Sequence, residues 1–325
     1  MVITQRRKTE KIMEVFAQEK VSMAIFCTAS HWNTEAVLLA AKRFAQKHDI
    51  EYLPLTVAMT FNYDYMPQAQ RMTLSGRADE GMLTNLKHLD VLCGSKDSSY
   101  SNVMALPHLD HANPVRDLWA LTKGTEYLAS VMFDAQTWPL EENIGMTSEY
   151  ARTYKDDVMI EGILEELTVE GMHKGKTVDG YIEKAVDYIN RTGIDFLVAD
   201  LGTEQQSGRR GQCRYLSERA QSLTAAIKRS MLVLHGTSCL SNDQMATLPY
   251  DGVLRVNMWT RIAREAGQYA AEQLEERMPQ VKLGNFEAAE GRQYILDLTE
   301  KAADIMEEML ELMGYARLSG KNINI

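Results

Sequence analysis

Residues 181–235 read YIEKAVDYINRTGIDFLVADLGTEQQSGRRGQCRYLSERAQSLTAAIKRSMLVLH, and this stretch decides the fold. Tyr181–Arg191 and Leu216–Arg229 carry apolar residues at helical spacing, whereas Asp195–Ala199 and Met231–His235 are short apolar runs of strand length. Strands that follow one another through a helix run parallel, because a helical crossover returns the chain to the same end of the sheet. The pattern continues in both directions. Strand-like runs lie at Val21–Ala29, Ile50–Thr60, Asn102–Leu106, Tyr127–Phe133, Val158–Leu164 and Val253–Met258, with helical patterns at Glu35–Lys47, Pro114–Lys123 and Glu142–Tyr154. Eight β/α units predict a (β/α)8 barrel, a single domain over residues 1–325, with strand three ending near Leu106 and strand seven near His235. An open doubly wound sheet would need a G-x-G-x-x-G turn, and none occurs. Two segments exceed the minimal barrel. Phe61–Ser99 is a long mixed connection between strands two and three. Phe286–Gly314 has apolar residues at 295, 298, 302, 305, 309 and 312, which predicts an amphipathic helical extension packed on the barrel or on a second subunit.

Composition narrows the function classes. With 45% hydrophobic and 25% charged residues, 7 Pro and 20 Gly, the chain is neither collagen-like nor broadly disordered. Its 35 basic and 45 acidic residues give a net charge of -10, which argues against a nucleic-acid partner. The longest stretch free of charged residues, Val21–Thr34, is shorter than the about 20 residues that a membrane-spanning helix needs. The opening MVITQRRKTEKIMEVFAQEK lacks the apolar core of a signal peptide, and Cys27, Cys93, Cys213 and Cys239 form no CxxC pair. The expectation is a cytoplasmic protein with reduced thiols.

Barrel chemistry sits at the C-terminal ends of the strands. Strand three runs into Pro107-His108-Leu109-Asp110-His111, strand four ends at Asp134, and strand five carries Glu161 with Glu165 beyond it. Strand six runs into Asp200-Leu201-Gly202-Thr203-Glu204-Gln205, strand seven into His235-Gly236-Thr237-Ser238, and strand eight into Asn257-Met258-Trp259-Thr260. Four of the seven histidines, His31, His108, His111 and His235, fall at or just after strand ends. Imidazoles converging from different strands, with carboxylates among them, form either a divalent metal site or a set of ordinary hydrogen-bonded histidines.

The succession HLDH at 108–111, SVMFD at 130–134, EENI at 141–144 and VLHGTS at 233–238 resembles the class II ketose-bisphosphate aldolases, in their tagatose- and fructose-bisphosphate aldolase branch. Order and spacing match from about residue 100 to 262. The resemblance implies that Asp110 is the catalytic acid/base and that His111 and His235 are zinc ligands. It implies that Gly236, Thr237, Ser238, Asn257 and Thr260 hold the substrate phosphate and enediolate, and that Gly202 begins a phosphate loop. It further implies a retro-aldol lyase acting on a phosphorylated ketose with Zn2+, with Mn2+ or Mg2+ accepted more readily if the metal site is a mixed one, and a homodimer or homotetramer is expected. The strand runs contain no lysine, which argues against Schiff-base chemistry.

This chain also departs from the family pattern. The family's third histidine ligand is Gln205 here, and the glycine after it is Gln206. Strand five reads Glu161-Gly162-Ile163 where the family has two carboxylates, and Trp259 and Arg261 flank Thr260 after strand eight. Glu161 and Glu204 are the candidates to complete a mixed metal site. The basic run Ser207–Arg214 reads as a solvated loop or an anion site, and Arg261 or the Arg209–Arg210 pair could hold an unphosphorylated sugar acid. Two alternatives therefore stand beside the aldolase: an epimerase or aldolase acting on a sugar acid, and a non-catalytic barrel serving as a binding or assembly subunit.

Overall fold

The computed structural model describes residues 1–325 except 173, 176–178, 209, 322, 324 and 325. Eight parallel strands close into a barrel in sequence order: β1 Met23–Cys27, β2 Leu53–Thr60, β3 Val103–Ala112, β4 Ser130–Phe133, β5 Met159–Ile163, β6 Phe196–Val198, β7 Leu232–Leu234 and β8 Val253–Met258. Helix α1 (Arg6–Gln18) precedes the barrel. The helices between strands are α2 (His31–Lys47), α3 (Ala78–Cys93), α4 (Leu118–Thr122), α5 (Leu140–Tyr154), α6 (Tyr181–Thr192), α7 (Ser217–Ile227) and α8 (Asn242–Thr247). After β8 come α9 (Thr260–Lys282), the short α10 (Phe286–Ala289) and α11 (Arg292–Leu312). Among the described residues no helix is long and apolar enough to cross a membrane.

Every strand residue is buried, as expected of a parallel sheet with side chains filling one face and helices covering the other. Helix α1 seals the N-terminal end of the barrel. Its Ile12 and Phe16 are fully buried, and Arg6 donates to Asp195 and to the Val158 carbonyl, at the starts of β6 and β5. The mixed connection after strand two contains α3, so this unit too is β/α. Helix α11 turns the face of Leu298, Ala302, Ile305 and Met309 inward and packs on α2 and α9, so its partner is the chain's own helical layer.

Two expectations need correction. Strand three does not end near Leu106. It pairs with β2 from Leu53↔Val103 to Thr60↔Asp110 and runs on to Ala112. His108 and Asp110 look like loop residues in the sequence, yet they belong to the ladder. The cysteines are not all reduced: Cys213, after β6, is bonded to Cys239, after β7, with a Cα–Cα distance of 5.5 Å, while Cys27 and Cys93 are free and buried.

Candidate active site

Alternation along a strand places only every second side chain on one face. In β3 this aims His108 and Asp110 into the barrel and would aim His111 outward. Pairing with β4 slips here, from Leu109↔Val131 to Ala112↔Phe133, so β3 takes three steps where β4 takes two. His111 occupies the extra position with φ +48°, left-handed for a residue with a Cβ. Bulges of this kind re-aim a side chain. The result is that two consecutive residues, Asp110 and His111, both face the mouth of the barrel.

His235 arrives from the end of β7. Asp110, His111 and His235 are 4%, 3% and 4% exposed, and a carboxylate oxygen and one nitrogen from each ring lie within 4.8 Å of one another. His111 Nδ1 is 2.7 Å from Asp134 Oδ2. A carboxylate can only accept, so Nδ1 carries the proton, and in the neutral ring the Nε2 lone pair faces inward. Tyr63 stacks on the His111 ring at 4.1 Å between centroids, and its hydroxyl donates to Gln205 Oε1 at 3.4 Å. Burial, followed by Asp134 and Asp110, pushes the Tyr63 hydroxyl far above its usual range, so it remains a donor.

Burial alone would raise the Asp110 carboxyl, but His111, His235 and His108 outweigh it and hold the group below its usual range. Burial pushes His235 down to about 4 against the pull of Asp110. For His111 the desolvation cost is outweighed by Asp110 and Asp134, and its pKa is raised. Asp110 is thus ionised and His235 neutral around neutral pH, the states in which a carboxylate accepts a proton and an imidazole ligates a cation.

Gly236, Thr237, Ser238, Asn257, Trp259 and Thr260 complete one wall of the cavity, and Cys27, Thr60, Tyr63, Met66, Gln205 and Gln206 lie among the residues of the rest. Gly236 has φ +71°, and a Cβ on it would lie 2.7 Å from the Glu204 carbonyl carbon, so no larger residue fits there. Thr237 Oγ1 donates to the Asn257 carbonyl at 2.9 Å and ties the ends of β7 and β8 together.

Among the described residues, six buried polar atoms on this cavity have no protein partner: Asp110 Oδ1, His111 Nε2, His235 Nε2, Gln205 Nε2, Ser238 Oγ and Asn257 Nδ2. Such atoms cost about 1–3 kcal/mol each when left unpaired, and a cluster of them marks a place built for a ligand. Three can bind a cation; the amides and the hydroxyl can donate to oxygen. The donor set fits a divalent metal beside an oxygen-rich molecule.

The sequence model of the family described as fructose-bisphosphate aldolase class-II matches residues 7–317. The chain belongs to the class II fructose-bisphosphate aldolase family. The fructose-bisphosphate aldolase of Streptococcus pyogenes serotype M1 is 31% identical over 156 residues, covering 47% of this chain and 52% of the relative. The 6-phospho-5-dehydro-2-deoxy-D-gluconate aldolase of Shouchella clausii is 32% identical over 161 residues, with the same 47% and 52% coverage. The chain therefore spans about half the length of the curated relatives it matches. The solved fructose-bisphosphate aldolase of Campylobacter jejuni superimposes with a TM-score of 0.73 at 17% identity, over 99% of this chain and 97% of that one. The YdjI aldolase of Escherichia coli K12 does so with a TM-score of 0.66 at 17% identity, over 99% of both chains. At that identity the two structures speak for the fold. Class II aldolases are a metal-dependent family.

Of the residues that the family resemblance singles out, Asp110, His111, His235, Gly236, Thr237, Ser238, Asn257, Thr260 and Gln205 share the cavity. Others lie elsewhere. Glu161 sits one layer deeper, bound to Arg255 and 3.6 Å from His108 Nε2, so it is committed to a buried cation. Glu204 and Gly202 are not among the cavity's lining residues; a Cβ on Gly202 would meet the Arg214 carbonyl oxygen at 2.3 Å, which makes it a packing glycine. Arg261 bonds Glu265 and Glu308 through Nε and Nη2, and Arg210 bonds Asn242; neither residue is among those lining the cavity. Arg209 lies outside the described residues. His31 opens α2 on the surface, and His108 bonds Ser130 within the barrel.

Sequence reading did not assign Tyr63 or Cys27 to the site, and it gave no role to Asp134, which backs His111, or to Arg255 in the layer beneath. Arg255 had a signal: it and Glu161 are charged residues embedded in apolar strand runs, and buried opposite charges usually pair. Tyr63 had none, since it lies in an irregular loop whose path depends on the closed barrel.

Proposed function

We propose that this protein is a metal-dependent aldolase that cleaves a phosphorylated ketose, such as fructose- or tagatose-bisphosphate, by retro-aldol chemistry. The convergence of six unpartnered buried polar atoms on one cavity supports this reading best, because they divide into the two sets the reaction needs. His111 Nε2 and His235 Nε2 would hold the cation, with Asp110 Oδ1 beside them. A divalent metal held there, Zn2+ or else Mn2+ or Mg2+, would supply the positive charge that stabilises the enediolate.

Asp110 is kept for the proton. Its ionised carboxylate accepts the proton of the C4 hydroxyl as the C3–C4 bond breaks, and Cys27 Sγ and the neighbouring Asn257 brace its environment, with Sγ 3.6 Å from Asp110 Oδ2 and 3.1 Å from Asn257 Oδ1. Ser238, Asn257 and Thr260 offer donors to the substrate phosphate at the β7 and β8 ends, where Thr260 opens α9 and helix N-termini favour anions. The absence of Arg261 and Arg210 from the residues lining the cavity favours this reading over a sugar acid held by those cations. The proposal extends to a single-domain, cytoplasmic homodimer or homotetramer.

The test is a cleavage assay on a panel of ketose phosphates after loading with zinc, manganese or cobalt. Triose phosphate release is expected, and Asp110→Asn should slow it by about 10²-fold or more while metal binding persists. Absence of cleavage across the panel, or full turnover by Asp110→Asn, would overturn the reading.

A further inference from the structure

Gln205 stands where the family places a third histidine ligand, yet its local geometry argues for a different task. Its backbone is clamped to the loop after β5: its N–H donates to the Thr168 carbonyl at 2.9 Å, and its carbonyl accepts from the Glu170 N–H at 3.0 Å. The side chain therefore rises from a fixed point. Its Oε1 accepts from the Tyr63 hydroxyl at 3.4 Å, which turns Nε2, buried and without a partner among the described residues, to the cavity wall. An amide N–H2 has its lone pair delocalised into the carbonyl; it donates two hydrogen bonds and ligates nothing. The only side-chain atom of Gln205 able to ligate a cation is Oε1, and the Tyr63 hydroxyl draws one of its two lone pairs, at 3.4 Å, away from the cavity.

Tyr63 is itself fixed, because its ring lies flat on His111 with an interplanar angle of 8°. One residue thus braces the face of a candidate metal ligand and sets the direction of the Gln205 amide. The next residue, Gln206, adopts φ +57° and donates to the Tyr65 carbonyl at 3.3 Å, which binds the same two loops together a second time.

We propose that Gln205 is a substrate-binding donor oriented by Tyr63, giving one N–H to an acceptor oxygen of the ketose, and that it is not a ligand of the metal. This rests on the aldolase reading for the identity of the substrate. Gln205 then contributes to substrate affinity and to the choice among ketoses, and the metal is held without it. Tyr63 is a positioning residue, since it acts through the amide.

The experiment pairs two readouts on Gln205→Ala and Tyr63→Phe. Zinc affinity is measured by calorimetric titration of the metal-stripped proteins, and KM and kcat are measured separately on the ketose phosphate that the unsubstituted protein cleaves. Gln205→Ala is expected to bind zinc within about twofold of the unsubstituted protein and to raise KM by about three- to tenfold, the scale of one lost hydrogen bond. Tyr63→Phe keeps the ring on His111 and releases the amide, so it should raise KM in the same direction with zinc affinity retained. A tenfold or greater loss of zinc affinity in Gln205→Ala would make Gln205 a ligand and overturn the proposal, as would an unchanged KM. Failure of the unsubstituted protein to bind zinc, manganese or cobalt would instead overturn the aldolase reading, and this proposal with it.

Discussion

Replacing Asp134 with asparagine removes one charge and almost no volume, and its consequence can be worked out atom by atom. Asp134 accepts three hydrogen bonds: from His111 Nδ1 at 2.7 Å and Gln136 Nε2 at 2.8 Å on Oδ2, and from the Gln136 N–H at 3.2 Å on Oδ1. An asparagine has one acceptor oxygen. If that oxygen takes the Oδ2 position, the new N–H2 faces the Gln136 N–H, donor against donor. If the amide turns over, its N–H2 faces His111 Nδ1, and the ring proton moves to Nε2, where it covers the lone pair that would meet a cation. Either arrangement weakens the site. Loss of the carboxylate behind a ligating histidine typically lowers metal affinity about 10- to 100-fold, or about 1.4–2.7 kcal/mol. Calorimetric titration of zinc into metal-stripped Asp134→Asn measures the change, with circular dichroism to show that the barrel persists. A folded Asp134→Asn protein that binds zinc within twofold of the unsubstituted protein would refute the argument that Asp134 sets the state of His111.

Two further expectations concern the framework. Burial, with a further push from Asp110, raises Glu161 to about 7 from its ordinary 4.5, even though Arg255 and His111 pull it down. A raised carboxyl contributes stability that is present below about pH 4.5 and is lost as pH rises through about 7. His235, held down to about 4, pulls the other way as pH rises, so the test is the difference between two proteins. In urea unfolding across that window Glu161→Gln should remove the downward contribution and shift the slope of stability against pH upward, and an identical slope in both proteins would place the titration elsewhere. The Cys213–Cys239 bond closes a loop of sequence separation 26. On the chain-entropy account its removal by paired serine substitution should cost about 3–4 kcal/mol in denaturant unfolding. A loss below about 1 kcal/mol would show that the bond does not constrain the unfolded chain.

The strands most legible in the sequence were those with uninterrupted apolar runs between clear breaks. Val253–Met258 follows Asp251-Gly252 and has the same bounds in the structure. β3 was cut short because polarity and proline mark loops on average. Pro107, His108, Asp110 and His111 break that rule inside a barrel whose interior holds Arg255, Glu161 and Ser130 as partners. Asp110 and His235 were legible because strand ends are few and chemistry collects there. The engagement of Arg261 with Glu308 was not, because it depends on α11 returning across forty-seven residues to lie beside α9. The disulfide was hidden for a similar reason: spacing along the chain says little about which loops meet at the mouth.

The extra residue in β3 makes the site a matter of counting. From Leu109 to Ala112 one strand takes three steps while its neighbour takes two, and His111 is the surplus. Deleting a single residue there would restore an even ladder and leave the eight strands able to close, with the imidazole carried out among the helices or lost altogether. The barrel would be more regular and the pairing of carboxylate and imidazole on adjacent residues would be gone. A strand three in step with strand four would alternate sides through this point and turn only one of these two successive residues to the mouth.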